Sequence, residues 1–304
     1  MDSLSKAVAR LAQDLGEPEG EPVPLEGGIT NRNFRARFGG AEVVIRLPGK
    51  ETDVLGVDRE AELAATEAAS RVGVGPEVIA LLDDPVCLVT RFIEGDPVEA
   101  EQLRDPARLR EVAEALRRVH GGEAPLPVAF SPFRVVEAYA ARAQERGATI
   151  PPEYGWAHGV SERVEPALAG SEHEPVPCHN DLLAANFLRT EGGVRIVDWE
   201  YAGMGDRFFD LGNLAVNNGL DDAGEEALLA AYFDGGSSGR RTAALRLMRF
   251  MSDFREAMWG VLQGSLSDLD FDFAAYAAEH FERMRGTAEG GEFETWLEDA
   301  GAAG

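Results

Sequence analysis

Leu4, Val8, Leu11 and Leu15 recur at intervals of three and four, and Gly16 follows; this spacing predicts a short amphipathic helix at the N-terminus. The period then falls to two. Residues 27–49, GGITNRNFRARFGGAEVVIRLPG, alternate and carry Gly39-Gly40, which predicts a β-hairpin entered through a polar loop. Helical spacing returns over 57–72, with Leu63, Ala64, Ala68 and Val72 on one face and Gly73 as the stop. The run PEVIALLDDPVCLVTRFIEG predicts two strands joined at Asp83-Asp84-Pro85, and Gly95 and Pro97 break the chain beyond it. From there helices dominate, except at 186–199, where NFLRTEGGVRIVDW predicts a second hairpin turning at Gly192-Gly193. The pattern therefore divides the chain into a small β-rich lobe, 1–92, and a larger, mainly helical lobe, 93–304. The GGSSG near residue 237 and the final GAAG read as loop or tail.

Length supports that division, because 304 residues are many for one core and two lobes can hold a cleft between them. No apolar run approaches the roughly 20 residues that span a bilayer, and MDSLSKAVARLAQDL has no apolar signal core, so a cytoplasmic protein is expected. Cys87 and Cys178 are too few for a disulfide framework and read as reduced core residues. The formal charge of −25 argues against nucleic acid or an anionic membrane as partner, since polyphosphate binding needs clustered cations. A cationic small molecule suits it, although a charged surface also serves solubility alone.

The chemistry concentrates in CHNDLLAANFL, residues 178–188. His179-x-Asp181 is followed by Asn186 and, at the end of a predicted strand, by Asp198. Phosphoryl transfer to a hydroxyl uses this arrangement: one aspartate takes the hydroxyl proton, while an asparagine five residues on and a later aspartate hold Mg²⁺. Alone, His179-Asn180-Asp181 is as easily a turn, because Asn and Asp favour turns; the joint spacing with Asn186 and Asp198 selects the active-site reading.

HNDLLAANFL followed by VRIVDWEYAGMGDRFFDLGNLAVNNG resembles the choline/ethanolamine kinase branch of the aminoglycoside phosphotransferase family. GGITNRNFR, VVIRLPG and VDREAE extend the resemblance towards the N-terminus and REAMWGVLQGSLSDLDFDFAAYAAEHFERM towards the C-terminus, over most of residues 25–285. It implies an α+β, protein-kinase-like bilobal fold and transfer of the ATP γ-phosphate to a small-molecule hydroxyl. It also implies Asp181 as the catalytic aspartate, Asn186 and Asp198 as Mg²⁺ ligands, and Glu200 and Tyr201 as acceptor-side residues of the DWEYA signature.

The small lobe must then grip ATP. In GGITNRN, Gly28 lets backbone N–H groups approach phosphate and Thr30 or Asn31 could donate as well, though the full Gly-x-Gly-x-x-Gly is missing and the stretch alone is an ordinary turn. No Gly-Lys-Ser/Thr loop occurs, which argues against a P-loop ATPase. Arg46 stands where protein kinases keep a strand lysine, and its fork of donors suits phosphate. By resemblance its helix partner is Glu62, with Glu60 close by. Arg91, Phe92 and Ile93 fit the hinge where adenine meets backbone groups.

On the acceptor side a quaternary ammonium needs aromatic faces and carboxylates. Trp259 is the resemblance's choline-facing tryptophan, and Leu262 replaces a second aromatic of the fuller motif, which weakens the case for choline. Tyr201, Phe208, Phe209 and Tyr276 could compensate or belong to the core, and Asp206, Asp210, Asp253 and Glu256 flank these segments. Asp210 reads best as a brace for the loop. The remaining histidines have no metal-ligand spacing. Choline or ethanolamine is the expected acceptor; an aminoglycoside, thiamine-like alcohols, or a nucleotide-binding protein without catalysis are the alternatives. A protein kinase is disfavoured, since no Ala-Pro-Glu follows Asp198.

Overall fold

The computed structural model describes residues 2–25, 31–122, 124–234 and 236–302. The first helix, α1 (Ser3–Leu15), starts where the Asp2 carboxylate accepts the Ser5 N–H at 2.8 Å and buries Ala7 and Leu11. Strands β1 (Val23–Leu25), β2 (Asn31–Phe38) and β3 (Ala41–Pro48) follow, and the predicted hairpin closes with Phe38 opposite Ala41. Gly39 and Gly40 both take positive φ there, 53° and 81°, which glycine adopts without a steric penalty. Helix α2 (Arg59–Arg71) is capped by Asp58, and β4 (Val78–Asp83) and β5 (Val86–Arg91) complete an antiparallel sheet ordered β1-β2-β3-β5-β4. Alternate residues of this sheet, among them Phe38, Val43, Ile45 and Val89, close a small core with Ala7 and Leu11.

The α2 pattern resolves differently from its sequence reading. Leu63, Ala64, Ala68 and Val72 are only partly buried, whereas Ala61, Ala65 and Ala69 are fully buried beside Glu62 and Thr66. An all-alanine row lets the helix approach closely, and Glu62 has to face inward to meet an arginine of the sheet. The loop before α2 is fixed to the larger core: Leu55 and Val57 are buried in it. Tyr139 Oη donates to the Leu55 carbonyl at 3.0 Å and Arg142 donates to the Val54 carbonyl at 2.8 Å.

The second part comprises β6 (Asp96–Pro97), α3 (Pro106–His120), α4 (Pro132–Glu145), α5 (Glu153–Ala167), β7 (Val176–Cys178), β8 (Phe187–Thr190), β9 (Gly193–Ile196) and β10 (Gly203–Gly205). Helices α6 (Arg207–Asn217), α7 (Asp222–Tyr232), α8 (Gly239–Gln263), α9 (Phe273–Ala288) and α10 (Phe293–Gly301) follow. The predicted hairpin forms as β8 and β9, but β6 adds a third strand to it and β7 pairs with β10. These extra strands have two or three residues, too few for alternation to register. Helix α8 runs through the centre and is buried over most of its circumference from Ala243 onward. It crosses α6 at Gly212, where a Cβ would lie 2.8 Å from the Arg249 backbone nitrogen, so only glycine allows the crossing. That contact seats the Asp210 and Asn213 side chains beneath the loop that follows β7. No described helix is long and apolar enough to cross a membrane.

Candidate active site

The loop 179–186 owes its shape to buried polar groups on α6. Asp210, wholly buried, accepts the His179 N–H at 2.8 Å and the Asn180 N–H at 2.7 Å, and a third bond ties it to His120 Nε2 at 3.0 Å. His120 Nδ1 in turn meets the Tyr232 hydroxyl at 2.6 Å. His120, Cys178 and Asp210 lie close enough together to hold a metal ion, but both His120 ring nitrogens are engaged, and the group works as a brace. Asn213 Oδ1 accepts the Leu182 N–H at 2.5 Å and Asn218 donates to the Leu182 carbonyl at 3.0 Å. His179 is locked as one tautomer: its Nδ1 accepts the Asp181 N–H at 3.1 Å, so the proton sits on Nε2, which donates to the Val197 carbonyl at 3.0 Å. Asn180 and Asp198, on the two arms bordering the site, both take positive φ, 68° and 69°, a conformation their short polar side chains tolerate.

Two chambers meet at this loop. The larger, of about 350 Å³, lies between sheet and loop and is lined by Arg46, Thr66, Leu88, the hinge Arg91, Phe92 and Ile93, and by Asn186 and Asp198. The smaller, about 130 Å³, is lined by Asn31, Asp181, Glu200, Tyr201, Arg255, Glu256, Trp259, Phe271 and Tyr276, again with Asn186 and Asp198. Asn186 and Asp198, with Ala185 beside them, thus form the shared wall.

The electrostatics are dense. Arg46 joins Glu62 at 3.1 Å and also pairs with Asp198; this settles the helix partner, since Glu60 is exposed. Burial would weaken the Arg46 charge, yet Asp198 and Glu62 hold its pKa above the ordinary arginine value. Burial pushes the Asp181 carboxyl up, against the pull of Arg255, whose guanidinium lies 3.1 Å away. Burial and then Asp198 push Glu200 up to about 8. Burial alone would also raise Glu256, but Arg255 and the Tyr276 hydroxyl, 2.7 Å distant, keep it below the usual range.

The donor set fits a hard divalent cation. Asn186 Nδ2 donates to the Asp181 carbonyl at 2.8 Å, which leaves its amide oxygen as the free end. Asp198 Oδ1 is buried and paired with Arg46, a carboxylate oxygen on the wall that Asn186 shares. One amide and one carboxylate oxygen, completed by water and phosphate, suit Mg²⁺.

The sequence-derived residues thus converge, with several reassignments. Gly28 and Thr30 lie outside the described residues. Asn31 faces the smaller chamber, its amide engaged by Glu200 at 2.7 Å and Arg59 at 3.2 Å, rather than the nucleotide side. Leu262 is fully buried and does not line the chamber; the helix face that does is Arg255, Glu256 and Trp259, one turn earlier. Phe208 and Phe209 are core, Asp206 caps α6 and meets His173, and Asp253 is buried against His280 and Arg283. Sequence reasoning gave no role to Arg59, Arg255 or Phe271. The i, i+1, i+4 spacing of Arg255, Glu256 and Trp259 on one helix was the available signal.

A five-stranded sheet above a helical lobe, with a polar loop at the junction, is the architecture of protein-kinase-like phosphotransferases. Comparison with known proteins agrees: the pattern of the "Phosphotransferase enzyme family" matches residues 21–249. A choline/ethanolamine kinase family protein from Mesorhizobium loti is 32% identical, with 99% of each chain aligned and a TM-score of 0.84. The "Probable choline kinase 1" of Arabidopsis thaliana is 23% identical over 92% of this chain and 93% of its own, and ethanolamine kinase 2 of Homo sapiens 26% over 93% and 81%. The chain belongs to the phosphotransferase enzyme family, in its choline/ethanolamine kinase branch, and is a phosphotransferase with an alcohol as acceptor.

Proposed function

We propose that the protein transfers the ATP γ-phosphoryl group, in the presence of Mg²⁺, to the hydroxyl of a small cationic amino alcohol, choline or ethanolamine. The observation that carries this reading is the shared wall: Asn186 and Asp198 line both a nucleotide-sized cleft and a small aromatic and acidic chamber, and Asp181 lines the second beside them. On this reading the small lobe ends near residue 92, at the hinge. The N–H groups of Arg91 and Phe92 are engaged by the Glu77 and Glu42 carbonyls, at 2.8 and 2.9 Å, while Ile93 N–H has no such partner among the described residues and is available to adenine. Arg46 receives phosphate oxygens. Asp181 orients the acceptor hydroxyl and takes its proton, and its burial makes it the better base. Mg²⁺ held by Asn186 and Asp198 would neutralise charge on the phosphate oxygens. Trp259, Tyr276 and Phe271 offer aromatic faces to the ammonium, and Glu256 offers a carboxylate; Tyr201 already has the Arg255 guanidinium 4.5 Å from its ring centroid. A chamber of about 130 Å³ favours such an alcohol over a multi-ring aminoglycoside.

The test is ADP release over choline, ethanolamine, thiamine and aminoglycosides, with ATP and Mg²⁺ fixed. Asp181→Asn should lower turnover by about 10²–10⁴, the range of a lost general base, without disturbing the fold. Wild-type turnover in that variant would rule the mechanism out. Turnover of aminoglycosides alone would replace the acceptor.

A further inference from the structure

Glu62 has more to do than pair with Arg46. Its Oε1 accepts from Arg46 at 3.1 Å, while its Oε2 accepts from Arg59, one helical turn earlier, at 2.5 Å. The other end of the Arg59 fork donates to Asn31 Oδ1 at 3.2 Å and to Thr52 Oγ1 at 3.0 Å, and Asn31 Nδ2 then donates to Glu200 Oε2 at 2.7 Å. Glu200 also lies 3.9 Å from the Arg59 guanidinium. An unbroken polar chain therefore runs Asp198, Arg46, Glu62, Arg59, Asn31, Glu200. Arg46 lines the nucleotide cleft, Asp198 lines both chambers and the last two members line the acceptor chamber, whereas Glu62 and Arg59 line neither.

We infer that Arg59 is a positioning residue for the acceptor chamber, and that through the shared Glu62 carboxylate it couples occupation of the nucleotide cleft to the shape of that chamber. This rests on the reading of the two chambers as nucleotide and acceptor sites. Arg59 fixes which end of the Asn31 amide faces Glu200; without it either end of the amide can face that carboxyl. Thr52 anchors the same guanidinium to the loop that is held on α4 by Tyr139 and Arg142, so the fork has a rigid mounting. Phosphate oxygens arriving at Arg46 compete with Glu62 for its donors, and the share of the Glu62 charge so released falls to Arg59. A lysine cannot replace a fork that reaches three acceptors at once.

Kinetics with each substrate varied in turn, together with calorimetric titration of ethanolamine or choline with and without adenylyl imidodiphosphate, test the inference. Arg59→Gln should raise the acceptor KM about tenfold or more, as for one lost charge-assisted hydrogen bond, and leave the ATP KM within about threefold. Arg59→Lys should recover little of the loss. The nucleotide analogue should tighten acceptor binding in the wild type and cease to do so in Arg59→Gln. An ATP KM that rises as much as the acceptor KM, an unchanged acceptor KM, or tightening that survives in the variant would each overturn the role while leaving the chambers as assigned. A wild type that binds the analogue but turns over no amino alcohol would overturn the acceptor assignment, and the inference with it.

Discussion

Replacing Asp210 by asparagine exchanges one oxygen for an NH₂ group at almost the same volume, which makes it a sharp test of how the loop is held. In the native protein one carboxylate oxygen accepts the Asn180 N–H, and the other serves the His179 N–H and His120 Nε2. An amide can place its oxygen at the second position and retain two weakened bonds, but its NH₂ then points at the Asn180 N–H. One hydrogen bond to a charged acceptor is lost, at about 1.5–3 kcal/mol, and a buried N–H is left without a partner, at about 1–3 kcal/mol more, so a loss of roughly 2.5–6 kcal/mol is expected. Asn180 is the residue in the left-handed conformation, so the lost bond is one that holds the loop in its unusual path. Urea denaturation gives the stability change and ADP release gives turnover, which should fall by at least tenfold because Asp181 directly follows Asn180. A midpoint within about 0.5 kcal/mol of wild type, with turnover unchanged, would refute the bracing role.

Three further outcomes are expected. Trp259→Ala should raise the acceptor KM by roughly twofold to thirtyfold, the span of a cation–π contact of about 0.5–2 kcal/mol, while an unchanged KM would remove the indole from the acceptor wall. Arg255→Met leaves the buried Asp181 and Glu256 facing each other without their shared cation, so denaturation should show a loss of about 3–5 kcal/mol; a neutral result would mean that water replaces the guanidinium. Glu200 holds its proton in the fold up to about pH 8 against an ordinary value of 4.5, so its contribution to stability is full below 4.5 and is lost as the pH rises through about 8. Unfolding free energies of the nucleotide-free protein should therefore fall between about pH 5 and pH 8, and Glu200→Gln should flatten that slope; an equal slope in the variant would show that another group is responsible.

The strand–turn–strand units and the Asp181, Asn186, Asp198 triplet were legible because each is written in local spacing: two-residue alternation around Gly39-Gly40 or Gly192-Gly193, and a fixed five-residue step in the loop. What escaped depends on contacts distant in sequence. The two-residue β6 makes sense only beside β8, and β7 only beside β10. The alanine row of α2 is too weakly apolar to mark the buried face, and Leu63 points the pattern to a neighbouring face that is only partly buried. The family motif's second aromatic position is Leu262, three residues after Trp259, whereas the chamber is lined three residues before it, at Glu256. That face meets α9 closely, with Tyr276 lying across Gly260, where a Cβ would stand 3.0 Å from the ring.

The mounting of α2 has a consequence for control. In protein kinases the helix bearing the paired glutamate is a switch, because activity depends on whether that ion pair is in place. Here the loop leading into the helix buries Leu55 and Val57 in the larger lobe and is hydrogen-bonded to α4, so the helix and its glutamate are fixed from the side opposite the sheet. Swinging it outward would tear open the main core. A helix mounted this way cannot move independently of the larger lobe, because its approach segment is part of that lobe's packing.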